Sequence, residues 1–246
     1  MDNCGHPSSP PPVYYGNFSA YLNATGKPIW LATCEWGEDN PASWAPSMAQ
    51  SFRSGPDHLP LWSFNLTNGG QGVLDIINTM ALIGNETAPF AWNDPDFLEG
   101  GEVLTTTESQ TEFAAWAMFG GPMLVATEIR NLTGWKKDMV TNAEILELNH
   151  DDMLAPGYRV RAAADGTQVW AKRLANGDVA AMLLNAGDAG ARDIAVSAAD
   201  IGWPAGASFA VRDLWKHADD GVAVGTFTAA GVPAHGNALL RLKRSA

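Results

Sequence analysis

Basic residues are scarce in this chain: 15 Lys and Arg stand against 27 Asp and Glu, a formal net charge of −12 over 246 residues. A protein that grips nucleic acid carries a basic face to neutralise phosphates, so nucleic acid is not expected as a partner. No apolar run reaches the roughly 18–20 residues that span a bilayer, so no membrane association through a spanning helix is expected either. There is no Gly-rich phosphate loop, no Gly-x-Ser-x-Gly elbow and no EF-hand loop. The histidines, His6, His58, His150, His217 and His235, lack ligand spacing, and with Cys4 and Cys34 they form no zinc pattern. Neither a metal nor another cofactor is expected.

Tryptophan, by contrast, is plentiful, with 10 residues. An acidic, Trp-rich surface suits sugar binding, with ring faces on C–H faces and carboxylates on hydroxyls; large aromatics also simply fill cores. Five glycosylation sequons occur, at Asn17, Asn23, Asn65, Asn85 and Asn131. That excess points to the secretory pathway, with an extracellular or vacuolar/lysosomal destination. There Cys4 and Cys34 could pair, a tether worth about 3–4 kcal/mol on the loop-entropy model, or stand as two buried thiols. The opening Met1–Pro7 has no basic start and no apolar stretch, so it does not read as a signal peptide.

Residues 8–12 read as a stiff Pro-rich loop, and Val13–Asn23 as a helix closed by Gly26 and Pro28. Pro28–Thr33 is a short apolar run of the kind buried on both faces of a parallel sheet, and it runs straight into Cys34-Glu35-Trp36-Gly37. Ala42–Ala49 looks helical and Gln50–Arg53 strand-like, with a loop over Ser54–His58. A helix over Val73–Ile83 places Leu74, Ile77, Ala81 and Leu82 on one face. Pro89–Trp92 enters the loop Asn93–Asp96, followed by a helix at Glu108–Phe119, a strand at Pro122–Thr127 and a helix at Asn142–Leu148. Strand, acidic loop and helix in repetition predict part of a parallel barrel. After about residue 157 the pattern becomes short runs separated by Asp165-Gly166, Asn176-Gly177 and Gly187-Asp188, the signals of antiparallel hairpins in a β-sandwich. The expected division is 1–156, α/β barrel, and 157–246, all-β sandwich.

Carboxylates recur at the predicted strand ends: Glu35, Asp57 and the pair Asp94/Asp96, with Asp2 in a comparable context. Cleaving a glycosidic bond takes two carboxyl groups, one protonating the leaving oxygen and one attacking or activating water. Barrel strand ends can aim several such groups at one point, although acidic loop residues are commonly just solvated.

At these residues the chain resembles a known family. Asp2-Asn3-Cys4, Cys34-Glu35-Trp36-Gly37-Glu38-Asp39-Asn40-Pro41, Phe52-Arg53-Ser54-Gly55-Pro56-Asp57 and above all Trp92-Asn93-Asp94-Pro95-Asp96 are similar to blocks of the α-galactosidases (melibiases) of glycoside hydrolase family 27. Phe113–Ala117, Gly121–Leu124, Glu147–Asn149, Val211–Trp215 and Val232–Gly236 continue the likeness in order. The resemblance implies a retaining glycosidase built from a (β/α)8 TIM barrel and an antiparallel β-sandwich, here represented by the C-terminal half of the barrel onward. Asp2 would be the nucleophile and Asp57 the acid/base. Glu35 and Arg53 would hold the sugar 2-hydroxyl, Asp96 would lie in the sugar pocket, and Trp36 would stack on the ring. Cys4 and Cys34 would form the family's bridge. The substrates implied are α-galactoside oligosaccharides or glycoconjugates, because a carboxylate at Glu35 leaves little room for a 2-acetamido group.

Phe97 stands where the family usually has Met, Thr87–Ala91 replaces a Gly-rich approach, and His150-Asp151-Asp152 replaces Gln-Asp-Pro. The family's segment before the nucleophile, with its early barrel strands, a Trp, an Asp pair and a Lys, has no counterpart. The chain is therefore expected to be N-terminally incomplete and to show little activity alone. The competing expectations are a non-catalytic galactose-binding or scaffold remnant, and an α-N-acetylgalactosaminidase.

Overall fold

The computed structural model describes residues 1–3, 9–64, 69–83 and 90–245. These form two compact units, Met1–Phe97 and Leu98–Ala246. Among the described residues no helix is long and apolar enough to cross a membrane.

In the first unit, helix α1 spans Pro11–Ala24. Two prolines expected in a loop instead occupy its first turn, where the missing N–H has no helical partner to lose and the fixed φ suits a helix. Strand β1 is Ala32–Thr33, β2 is Ser51–Arg53 and β3 is Trp92–Asp94, a parallel sheet in that order. The apolar run Pro28–Thr33 is thus mostly not strand: Ile29 and Trp30 are exposed, and only the Leu31 end enters a core. Leu31, Ala45, Ala49 and Phe52 pack together beneath Phe18 and Leu22 of α1. The helix expected over Ala42–Ala49 is two 3-10 turns, Pro41–Ser43 and Ala45–Ser47. Pro41 and Pro46 occupy the first and second positions of these turns, and a proline inside a longer helix would remove a bond and clash. Helix α2, Val73–Ile83, forms as expected but buries Val73, Ile76, Ile77 and Met80, leaving Leu82 exposed.

The second unit opens with α3, Thr106–Phe119, started by a reciprocal capping box between Thr105 and Glu108 and stopped at Gly120 in the left-handed conformation (φ 77°). Helices α4, Trp135–Val140, and α5, Ala143–Asn149, follow; α4 carried no clear sequence signal. Pro122–Thr127, expected as a strand, makes a single parallel bridge, Leu98 to Val125. Eight strands then build the sandwich: β4 Tyr158–Ala162, β5 Thr167–Arg173, β6 Val179–Asn185, β7 Arg192–Ser197, β8 Ser208–Asp213, β9 Ala218–Val224, β10 Thr226–Val232 and β11 Asn237–Arg244. One antiparallel sheet runs β4-β5-β6-β11-β8-β9 and the other pairs β7 with β10. Strand β9 escaped the sequence reading because Asp219, Asp220 and Gly221 break any apolar alternation; its pairing with β8 sustains it.

Between the sheets lie Val169, Ala171, Ala181, Leu183, Ile194, Val196, Phe209, Val211, Leu240 and Leu242. Helix α3 packs on the same body: Phe119 meets Trp170 edge-on at 5.7 Å, and Lys172 Nζ donates to the Ala117 carbonyl at 3.2 Å. Helices α3–α5 fall in the same compact unit as the sandwich. Of the sequons, Asn17, Asn23 and Asn131 are exposed, while Asn65 and Asn85 fall outside the described residues. Truncating fully buried Leu183 to Ala leaves a cavity between the sheets and is expected to cost about 2–5 kcal/mol. Urea unfolding followed by circular dichroism measures this, and a change below about 0.5 kcal/mol would place Leu183 outside a packed core.

Candidate active site

The parallel register aligns the strands by row. Ala32, Ser51 and Trp92 are level, then Thr33, Phe52 and Asn93, then Arg53 and Asp94. Successive side chains of a strand point to opposite faces, so Phe52 enters the core below α1 while Arg53 turns to the other face. Asp2 bridges to Cys34 in parallel, outside β1. Asn3 N–H donates to Cys34 O at 2.9 Å and Cys34 N–H to Met1 O at 3.0 Å. Buried Tyr15 of α1 brings its hydroxyl to 2.7 Å from Cys34 O and 3.0 Å from Met1 O, tying the start of the chain to the sheet. Asp2, Glu35, Arg53, Asp57, Asp94 and Asp96 therefore all sit at the carboxyl ends of neighbouring strands, where side chains from several strands can converge.

Arg53 is the hub of the cluster. Its Nη2 lies 2.7 Å from Asp96 Oδ2 and 3.3 Å from Asp57 Oδ1, and donates to the carbonyls of Gly55 at 3.3 Å and Pro56 at 3.0 Å. Nη1 reaches Cys34 Sγ at 3.8 Å. Asp96 is held on both oxygens: Phe97 N–H donates to Oδ1 and His58 N–H to Oδ2, both at 2.8 Å. Its backbone is left-handed (φ 87°), an uncommon state for a residue other than glycine that persists because these bonds fix it. Asp94 accepts from Asp96 N–H at 2.9 Å, and burial raises its carboxyl above the usual range against that bond and the pull of Arg53.

Glu35 is 5% exposed. Asp39 N–H donates to its Oε2 at 2.8 Å, while Oε1 is buried with no partner among the described residues. Burial pushes its pKa up to about 7, with the Asp39 and Glu38 charges adding and the Asp39 N–H opposing. Arg53 Nε is likewise buried without a partner. Trp36 is exposed and left-handed (φ 59°), and its indole N–H donates to Asp57 Oδ1 at 3.0 Å. Gly37 follows at φ 75°, so close to Ser54 that a Cβ would lie 2.5 Å from its carbonyl oxygen, which makes glycine obligatory at that turn. The half-buried Cys34 carries a free thiol; its expected partner Cys4 lies outside the described residues. Burial raises the Cys34 thiol above the usual range against the opposing charge of Arg53. No cluster among the described residues could hold a metal ion.

All six sugar-site residues expected from the sequence thus belong to the first unit, at one end of its sheet. Sequence reading passed over Tyr15, His58 and Asp39, which act through backbone groups. His58 follows Asp57 directly, yet only the structure shows its Nδ1 3.0 Å from the Phe97 carbonyl. A carbonyl can only accept, so Nδ1 carries the proton.

Glu35 gives a test of these electrostatics. Its folded pKa of about 7 lies above the ordinary 4.5, so the folded protein keeps a proton that the unfolded chain releases between those values. Stability from this group is complete below pH 4.5 and is lost as pH rises through 7. The melting temperature of the parent protein should therefore fall relative to that of Glu35→Gln across this window. A constant difference would contradict the raised pKa.

Residues 5–151 match the family profile described as "Alpha galactosidase A", and residues 164–242 match that of the "Alpha galactosidase C-terminal beta sandwich domain". An α-galactosidase of Cyamopsis tetragonoloba is 31% identical over 93% of this chain and 53% of its own length. One from Coffea arabica is 34% identical over 95% and 59%. The chain spans about half the length of the curated relatives it matches. Among solved structures, α-galactosidase I of Mortierella vinacea superposes with a TM-score of 0.92 at 28% identity, over 100% of this chain and 68% of its own. The fold is accordingly part of a (β/α)8 barrel with a C-terminal antiparallel β-sandwich. The chain belongs to the α-galactosidase family, glycoside hydrolase family 27.

Proposed function

We propose that this protein works as a retaining α-galactosidase, releasing terminal α-D-galactosyl residues from oligosaccharides or glycoconjugates. The observation that carries the reading is the row of carboxylates around Arg53 at the strand ends, in a chain of this family. In the first step Asp2 attacks the anomeric carbon as the glycosidic bond breaks, and Asp57 gives its proton to the departing oxygen. The product is a β-linked galactosyl ester on Asp2. Asp57, now a carboxylate, takes a proton from water as that water attacks the same carbon. The ester breaks, α-galactose leaves, and both side chains return to their starting forms.

The two buried, unpartnered atoms suit a sugar hydroxyl: Arg53 Nε offers a donor and Glu35 Oε1 an acceptor, the pair needed to hold the 2-hydroxyl. Below its pKa of about 7, Glu35 is a neutral acid and can donate instead. A 2-acetamido group would crowd this carboxyl, which favours galactose over N-acetylgalactosamine. Asp96 lines the pocket and braces Arg53. Trp36 offers its exposed ring to the sugar. Oxidation joining Cys4 to Cys34 would pin the Asp2 segment to the loop that carries Glu35. The exposed sequons Asn17, Asn23 and Asn131 suit glycosylation in the secretory pathway.

Turnover of 4-nitrophenyl α-D-galactopyranoside tests the assignment. Asp2→Gly and Asp57→Gly should each lose at least about a hundredfold in rate. Azide should restore them with opposite stereochemistry, giving β-galactosyl azide with Asp2→Gly and α-galactosyl azide with Asp57→Gly. The same anomer from both, or undiminished turnover in either, would contradict the roles.

A further inference from the structure

We infer that Trp36 is the positioning residue of the acid/base, holding Asp57 through its indole N–H so that Oδ2 is the oxygen that delivers and recovers the proton. The inference rests on the galactosidase reading above. Hydrogen counting carries it. Arg53 Nη2 has two hydrogens and four oxygens around it: Asp96 Oδ2 at 2.7 Å, the Pro56 carbonyl at 3.0 Å, and the Gly55 carbonyl and Asp57 Oδ1 at 3.3 Å. Its 3.3 Å approach to Asp57 Oδ1 is thus a contact of charge rather than a directed hydrogen bond. The indole N–H of Trp36, at 3.0 Å, is the directed donor on the Asp57 carboxyl among the described residues. Both interactions fall on Oδ1.

The Asp57 side chain is 56% exposed, so packing alone does not fix its rotamer. A general acid must meet its target within hydrogen-bond reach and in one orientation, and a freely turning carboxyl would spend much of its time misaligned. With Oδ1 taken by the indole and the guanidinium, the proton of the acid form belongs on Oδ2. The backbone points the same way. Trp36 is left-handed at φ 59° and Gly37 at φ 75°, the latter with no room for a Cβ against Ser54. A left-handed tryptophan costs backbone energy that the surroundings must offset, and here the conformation turns its N–H onto the acid. One loop then serves two ends of the reaction, since Glu35 and Trp36 are adjacent.

The test compares leaving groups, because only a poor one needs the acid. Trp36→Phe keeps an aromatic ring and removes the N–H. On methyl α-galactoside its kcat/KM should fall about tenfold or more, and several-fold less on 2,4-dinitrophenyl α-galactoside, whose phenolate departs unaided. Equal losses on both substrates would mark a binding or folding effect and overturn the inference, as would no loss on either. A second measurement reads the bond without turnover. At fixed pH the Trp36 indole Nε1–H resonance should shift upfield in Asp57→Ala as its hydrogen bond is lost; an indole resonance indifferent to that change overturns the inference. Failure of the protein to cleave either galactoside with its barrel complete would instead strike the galactosidase reading.

Discussion

The first unit depends on the charge of Arg53. Strand ends that gather Asp57, Asp94 and Asp96 would repel one another without a cation among them, and the guanidinium is mostly buried where that repulsion is least screened. Its planar fork reaches carboxylates, carbonyls and a sulfur at once, which a lysine could not do. Removing it would leave Asp96 buried and uncompensated, a loss typically larger than the net worth of the pair. The site is therefore an electrostatic unit first and a set of reacting groups second. Asp96 braces the guanidinium and accepts from the His58 N–H, while Trp36 and Asp57 are joined by the indole hydrogen bond beside it.

The second unit contributes rigidity through ordinary packing. Strands β5, β6, β8 and β11 bury a continuous apolar layer, and α3 lays Trp116 and Phe119 into the same body. Besides the buried Lys172 and Glu112, ion pairs lie at its margins. Arg212 joins Glu144 of α5 to Asp219 of β9, and Arg241 joins Asp178 and Glu147. Such half-exposed pairs orient elements more than they stabilise them.

Much of this arrangement was legible in the sequence where a local signal existed. Val73–Ile83 has a run of helix-forming apolar residues, and the Asn-Gly and Asp-Gly turns mark the sandwich hairpins. Element faces were harder. Leu82 belongs to the apolar pattern of α2 yet is exposed, while Val73, Ile76, Ile77 and Met80 form its buried face. The Pro28–Thr33 run carries a strand's composition but pairs over only two residues, against a β2 that is itself three residues long. At the site, identities of residues were readable and their bonds were not. Nothing in the order Glu35-Trp36-Gly37 tells that a left-handed backbone aims an indole at a carboxylate 21 residues away. Tyr15, His58 and Asp39 escape for a related reason: each bond has a backbone group at one end, which a single sequence encodes only through the fold.

The central claim is that the strand-end carboxylates serve one sugar by double displacement, with Asp2 forming the bond. Trapping with 5-fluoro-α-D-galactosyl fluoride, followed by proteolysis and mass spectrometry, addresses it most directly. Fluorine beside the ring oxygen slows both steps, and fluoride leaves without acid help, so the ester accumulates. One galactosyl adduct on the peptide carrying Asp2 is the expected result. An adduct on Asp57 or Asp96, or hydrolysis of the reagent with no ester on the protein, would contradict it.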